Sequence, residues 1–355
     1  MSTKRPIFFI SLLFSALVGA LLACEPLAPP EQAPRYVVVT GQSPVAPGTP
    51  LAAATVPPLD STPVSTVGMT GGGVVNTPIP TATATPIPTA LPTATPFVCH
   101  ENTGQVFRST FYSNVVGAEV PYQVYLPPCF YDTLQRYPYV VLLHGTGYDE
   151  TMWVDLGAPD VMDRGVSKGT LPPMVLIMPD GGTLAELNDQ PDDASYETLI
   201  LEELIPAVER DFCLWGNRDG RAIGGISRGG FWAFSIALRH PELFSALGGH
   251  SPHFQPDNAG PETNPLDLAA NAPLSKFPLR IYIDHAANDY VGTFAARMAE
   301  ILRERGIALE YIINPTGEHD PAYWSAHVAD YLAFYGQAWP MDVAQLPSCL
   351  EPSPP

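Results

Sequence analysis

A serine hydroxyl is a poor nucleophile at neutral pH unless a neighbouring base takes its proton. Within this 355-residue chain, Ser227 lies in Gly225-Ile226-Ser227-Arg228-Gly229, a G-x-S-x-G match that ends one apolar run and opens another. Small residues two before and two after the serine let a strand and a helix meet at a sharp turn with the hydroxyl at its apex. Such a pentapeptide arises by chance in roughly one chain in ten of this size, so the case rests on what else is supplied. His319, in Thr316-Gly317-Glu318-His319-Asp320 after the last strand-like run, is placed to act as the base. Two aspartates compete to orient its imidazole. Asp284 continues a strand directly, whereas Asp289 sits on a loop that can bend toward His319 and is preferred. An oxyanion needs backbone N–H donors. Arg228 is one, and Leu143-His144-Gly145-Thr146-Gly147 offers Thr146, with Gly147 next. His144 reads as a brace for that loop and His327 as a satisfied core histidine. Trp153, Tyr290 and Trp324 form a candidate aromatic wall for a leaving group, and His253 a candidate pocket lining.

These groups must be carried by strands and helices, and the hydrophobic pattern supplies them. Residues 105–116 and 119–126 read as an antiparallel hairpin, closed near Asn114 to Gly117. Short continuous apolar runs at 137–143, 173–178, 221–226, 244–248, 279–283 and 307–313 read as strands buried on both faces. Helical patterns lie between them at 158–168, 196–212, 229–240 and 294–305, and a last one follows at 321–335. Pro206 should kink the second of these. Alternation of this kind gives an α/β class: a mostly parallel central sheet, an antiparallel N-terminal hairpin, and helices on both faces. Residues 251–277 interrupt the alternation and are expected to form a lid.

The formal net charge is −19, which offers no basic surface for phosphates and argues against a nucleic-acid partner. The chain opens with Lys4 and Arg5 before an uncharged apolar stretch to Leu22, the pattern of a secretory signal over residues 1–23. Leu21-Leu22-Ala23-Cys24 resembles the bacterial lipoprotein box, which would attach acyl chains to Cys24 and hold an exported protein on the cell membrane, facing outside. Residues 24–98 are dominated by Pro, Thr and Ala, with the repetitive segment 77–89, and read as a disordered linker or stalk. In extended polyproline II it would reach on the order of 200 Å. The globular domain is expected at 99–340, followed by a tail at 341–355. Export permits disulfides. Besides Cys24 there are Cys99, Cys129, Cys213 and Cys349, with three connectivities. Folding of the hairpin brings its ends together and favours Cys99–Cys129, leaving Cys213–Cys349. No metal-ligand spacing is present, so neither metal nor cofactor is expected.

Taken jointly, several motifs resemble the putative-esterase family that holds S-formylglutathione hydrolases, enterochelin esterases, feruloyl esterases and mycolyltransferases. They are Leu142-Leu143-His144-Gly145 with Trp153, Met178-Pro179-Asp180-Gly181, Glu203-Leu204-Ile205-Pro206, Gly225 to Gly230, and Gly317-Glu318-His319 with Trp324. The resemblance implies an α/β-hydrolase fold over roughly residues 105–336 and places nucleophile, acid and base on Ser227, Asp289 and His319. It implies a serine esterase acting through an acyl-enzyme on a small-molecule ester; the export signal makes it extracytoplasmic, and surface anchoring adds polysaccharide esters as candidate substrates. An acyltransferase to a sugar or lipid would use the same triad, and a non-catalytic surface binding module would suit the same anchor. Two departures stand out. Arg228 replaces the family's usual Met, Leu or Phe, and a cation at the pocket floor would bias the site toward acidic or polar acyl groups. His285 replaces a glycine near the start of the acid loop.

Overall fold

The computed structural model describes the backbone of residues 36–40 and all of 99–187, 194–255 and 259–351. The signal segment 1–23, the lipidation candidate Cys24 and most of the linker lie outside the described residues. Among the described residues one sheet runs in the order β1-β9-β8-β7-β6-β4-β5-β3-β2. Its strands are β1 Tyr36–Thr40, β2 Gln105–Ser113, β3 Ala118–Leu126, β4 Tyr139–Leu143, β5 Val175–Pro179, β6 Arg221–Ile226, β7 Ala246–His250, β8 Arg280–Ala286 and β9 Leu309–Asn314. Pairing is parallel from β5 through β4, β6, β7 and β8 to β9. It is antiparallel where the β2–β3 hairpin joins β5 and where β1 joins β9. The expected hairpin is therefore present, closed at Gly117, whose φ of 73° suits a residue without a side chain. Strand β1 falls inside the stretch read from composition as linker, so these five residues are sheet edge instead.

Alternation along the buried strands sends side chains to two separate cores. Val141, Leu143, Ile177 and Ile223 face one, and Val140, Leu142, Leu176 and Ala222 face the other. The second core is covered by α1 Met152–Asp155, α2 Ala158–Ser167 and the C-terminal helix, through Trp153, Met162, Trp324 and Tyr331. Short α3 Gly182–Glu186 follows β5. The first core is covered by α4 Tyr196–Thr198, α5 Ile205–Asp211, α6 Arg228–Arg239, α7 Pro265–Asn271 and α8 Gly292–Glu304. Helix α9 Pro321–Gly336 ends the layer on the opposite face.

Two elements differ from the sequence expectation. The helix at 196–212 does not simply kink at Pro206. It widens into a π-helical stretch, Leu199–Leu204, which accommodates the proline's missing N–H and its ring. The segment expected to be a lid holds α7, which packs its buried Ala269 into the core beside α6 and α8. Arg305 secures α7 by donating to the Ala269 and Ala272 carbonyls, the latter at 2.6 Å. Both disulfide pairings, Cys99–Cys129 and Cys213–Cys349, are present, and the second ties the tail back to the sheet beside the Gln135–Ser348 bridge.

Beneath the carboxyl ends of the central strands lies a buried polar cluster. The Asp284 carboxylate is fully buried and accepts from His250 Nδ1 at 3.0 Å, Tyr323 at 2.6 Å and Tyr331 at 3.1 Å. His250 Nε2 meets the Tyr335 hydroxyl at 2.9 Å, and Tyr331 stacks on the His250 ring at 3.6 Å. Gly224 and Gly248 lack side chains where that Tyr335 hydroxyl passes, and a Cβ at either would collide with it. Burial pushes the His250 imidazole below its ordinary value, against the opposing pull of Asp284. The folded state then binds fewer protons than the unfolded chain, whose histidine titrates near about 6.5. Stability should therefore be complete above that value and decline as pH falls through it. Thermal unfolding between pH 7.5 and 5 should show a falling midpoint, and His250→Gln should remove part of that slope.

Candidate active site

Three close approaches build the turn after β6. A Cβ on Gly225 would strike the Gly229 backbone, and one on Gly229 would strike the carbonyls of Leu143 and His144. Strand β6 and helix α6 thus approach each other and the β4 loop at backbone distance. Ser227 takes φ 55° and ψ −114°, a strained conformation for a residue with a side chain. It is held there by its N–H to the His250 carbonyl at 3.0 Å, and its own carbonyl accepts from His253 N–H at 3.0 Å. The hydroxyl is presented at the N-terminus of α6, a buried helix.

The structure brings Ser227, His319 and Asp289 together from three loops. Ser227 Oγ lies 2.8 Å from His319 Nε2, and His319 Nδ1 lies 3.0 and 3.1 Å from the two Asp289 oxygens. Asp289 also accepts from the Val291 N–H at 3.0 Å. Burial works to raise its carboxyl, but the His319 and Val291 hydrogen bonds, with smaller help from Ser251 and the His319 charge, together outweigh it and hold the carboxyl below its ordinary value. Its favourable contribution is therefore present above about pH 3.9 and lost only as pH falls through the lowered folded value. Trp324 packs edge-on against the His319 ring at 5.2 Å and fixes its plane. The competing acid, Asp284, is occupied by the buried cluster. His285 donates from Nδ1 to the Ala286 carbonyl at 2.7 Å and meets Tyr311 at 2.8 Å, so it props the acid loop in place of the family's glycine. His327 bonds Asp330 at 3.1 Å and stands apart from the site.

The loop after β4 passes directly over the serine. A Cβ on Gly145 would lie 3.4 Å from Ser227 Cβ. His144 braces this loop: its Nε2 accepts from the Gly181 N–H at 2.8 Å, so Nδ1 carries the proton and donates to the Gly145 carbonyl at 2.8 Å. Thr146 N–H has no partner among the described residues. With the Arg228 N–H at the first position of α6 it is placed to receive an oxyanion. Gly147 is not a donor to that site, because its N–H is taken by the Glu186 carboxylate at 3.0 Å.

Two further expectations are corrected by geometry. Trp153 does not line the site. It is 1% exposed, donates to the Leu143 carbonyl at 3.2 Å and packs against His250 and Tyr331 beneath the loop. The Arg228 guanidinium does not stand at the pocket floor. It turns back onto α3, donating to the Ala185 carbonyl at 2.8 Å and to the Leu187 carbonyl, and lies over Phe231 with its carbon 4.3 Å from the ring centre. Tyr290 and His253 do flank the mouth. The Tyr290 ring rests on His319 at 4.6 Å, and its hydroxyl is 3.4 Å from His253 Nδ1. Sequence reasoning missed Glu186 and Tyr148, which is exposed beside Trp324. The His144-Gly145 dipeptide marked the loop to which both are attached.

A nucleophile on a strand-to-helix elbow, an acid and a histidine following in that chain order on later strand ends, and an oxyanion loop after an earlier strand define an α/β-hydrolase. Residues 113–335 match the family model described as "Putative esterase", and the chain belongs to that family. An endo-1,4-beta-xylanase/feruloyl esterase of Xylanibacter ruminicola is 30% identical over 159 residues, 41% of this chain and 21% of that protein. An esterase of Mycobacterium tuberculosis (strain CDC 1551 / Oshkosh) is 28% identical over 157 residues, 43% of this chain and 33% of its own. The chain thus matches about a fifth to a third of the length of these relatives. A solved ferulic acid esterase shares the fold with a TM-score of 0.61 at 24% identity, covering 67% of this chain and all of that one.

Replacing the two aspartates should separate their roles. Asp289→Asn should lower kcat by about 10⁴-fold while costing less stability than Asp284→Asn, since geometry survives but the imidazole tautomer does not. Asp284→Asn should destabilise by about 3 kcal/mol, because it disturbs a buried, multiply bonded charge. Steady-state kinetics and thermal unfolding of both variants check this.

Proposed function

We propose that this chain is an exported serine esterase that cleaves carboxylic esters through an acyl-enzyme, held on a bacterial membrane by acyl chains on Cys24. The observation that carries the reading is the continuous hydrogen-bonded line from Ser227 Oγ through His319 to Asp289. Ser227 Oγ attacks the ester carbonyl while His319 Nε2 takes its proton. Asp289 keeps the His319 proton on Nδ1 in the resting enzyme and stabilises the imidazolium as it forms. The Thr146 and Arg228 amides receive the oxyanion. The imidazolium then returns the proton to the departing alcohol oxygen, and the C–O bond breaks. Water, deprotonated by His319, repeats the sequence on the acyl-enzyme and releases the acid and Ser227.

Feruloyl esters are the first substrates to test, because two of the relatives named above are called feruloyl or ferulic acid esterases. The anchor on Cys24 suits an enzyme working on polymer-borne esters at the outer face of the membrane. The purified globular domain should hydrolyse p-nitrophenyl acetate and methyl ferulate, and Ser227→Ala should lower kcat by at least about 10³-fold. Equal rates from the two proteins would sink the reading.

A further inference from the structure

The nucleophile has a second polar neighbour that the triad does not use. Tyr290 directly follows the acid Asp289 and is 61% exposed at the mouth. Its ring leans on the His319 ring at 4.6 Å and 50°. Its hydroxyl reaches the Ser227 side chain and stands 3.4 Å from His253 Nδ1. His253 is well fixed. Its backbone N–H donates to the Ser227 carbonyl at 3.0 Å, and its Nε2 meets Gln255 Oε1 at 2.7 Å. Because an amide oxygen only accepts, Nε2 carries the ring proton. Nδ1 is then an acceptor that turns the Tyr290 O–H toward itself, in a long contact that a stronger acceptor nearby would outcompete.

That stronger acceptor appears during the reaction. His319 Nε2 must deliver its proton to the departing alcohol oxygen, so this oxygen lies within reach of the imidazole edge that faces Ser227. Tyr290 rests on the same imidazole and extends its hydroxyl to the same serine. The Thr146 and Arg228 amides instead serve the carbonyl oxygen. Burial, aided by the Asp289 charge, raises the phenol above its ordinary value despite the opposing Ser227 contact, so it stays protonated and able to donate.

Building on the esterase reading above, we infer that Tyr290, oriented by His253, is a further catalytic residue that donates a hydrogen bond to the leaving alcohol oxygen. No proton is transferred from it. The Ser227 Oγ–carbon bond forms, the carbon–alkoxy bond breaks, and the proton on the departing oxygen comes from Ser227 by way of His319. The phenol O–H stabilises the alkoxide charge that builds before that proton arrives. Its effect must grow with the basicity of the leaving group. An alkyl alcohol gathers much charge and needs it, while p-nitrophenolate is stable unaided.

The test compares ethyl acetate with p-nitrophenyl acetate in wild type, Tyr290→Phe and His253→Gln, reading kcat/KM. Wild-type turnover of p-nitrophenyl acetate that is lost in Ser227→Ala establishes the underlying esterase, independently of Tyr290. Tyr290→Phe is then expected to leave p-nitrophenyl acetate within about twofold and to lower ethyl acetate by about tenfold or more, the worth of a hydrogen bond to a charged oxygen. His253→Gln should show the same selectivity with a smaller loss, since it orients the phenol without touching the ester. An equal loss on both esters would make Tyr290 part of the pocket wall only, and no loss on either would leave it no role in the reaction. Both results overturn the inference.

Discussion

A carboxylate removed from water must be surrounded by donors or it destroys the fold around it. Asp284 meets that constraint with His250 from β7 and with Tyr323 and Tyr331 from α9. The consequence reaches the loops that carry Ser227, Asp289 and His319. His250 presents the carbonyl that accepts the Ser227 N–H, and the Asp284 carbonyl accepts the Ser251 N–H. Asp289 lies five residues beyond Asp284, and α9 begins two residues after His319. One buried charge therefore ties together the elements that carry Ser227, Asp289 and His319. The strained Ser227 backbone persists because β7, the neighbour of β6 that accepts the Ser227 N–H, is anchored in this way.

A second set of charges supports the loop after β4. Arg228 was the residue in the elbow with the clearest suggestion of a substrate preference, yet its guanidinium serves α3. That helix in turn places Glu186 on the Gly147 amide, with its carboxylate beside the oxyanion loop. The Arg228 side chain thus supports the loop after β4 indirectly, through α3 and Glu186. The side-chain charge bonded to this loop is the Glu186 anion, the reverse of the bias expected from Arg228 in the sequence.

Much of this was legible in the chain. Continuous apolar runs separated by amphipathic ones yield the parallel sheet, because strands buried on both faces leave no other pattern. The order of Ser227, Asp289 and His319 follows from their places after successive strands. What stayed hidden depended on side-chain direction and on short elements. Helix α3 has five residues, too few to show a period, so Glu186 carried no signal. Trp153 follows the oxyanion loop closely, and only packing reveals that it points down into the core. The 265–271 helix sits in a Pro- and Asn-rich stretch, and its burial against α6 and α8 is a tertiary fact. Strand β1 is short and embedded in proline-rich sequence, although Val37, Val38 and Val39 are residues that favour strands.

The central claim is that Ser227 is a nucleophile activated by His319, and it can be examined without knowing the substrate. A fluorophosphonate should label the protein at one residue, found by peptide mass spectrometry within the segment that contains Ser227, and His319→Ala should lower the labelling rate by at least about 10³-fold. Labelling of Ser227 at the same rate in wild type and His319→Ala, or labelling at another residue in both, would contradict the account.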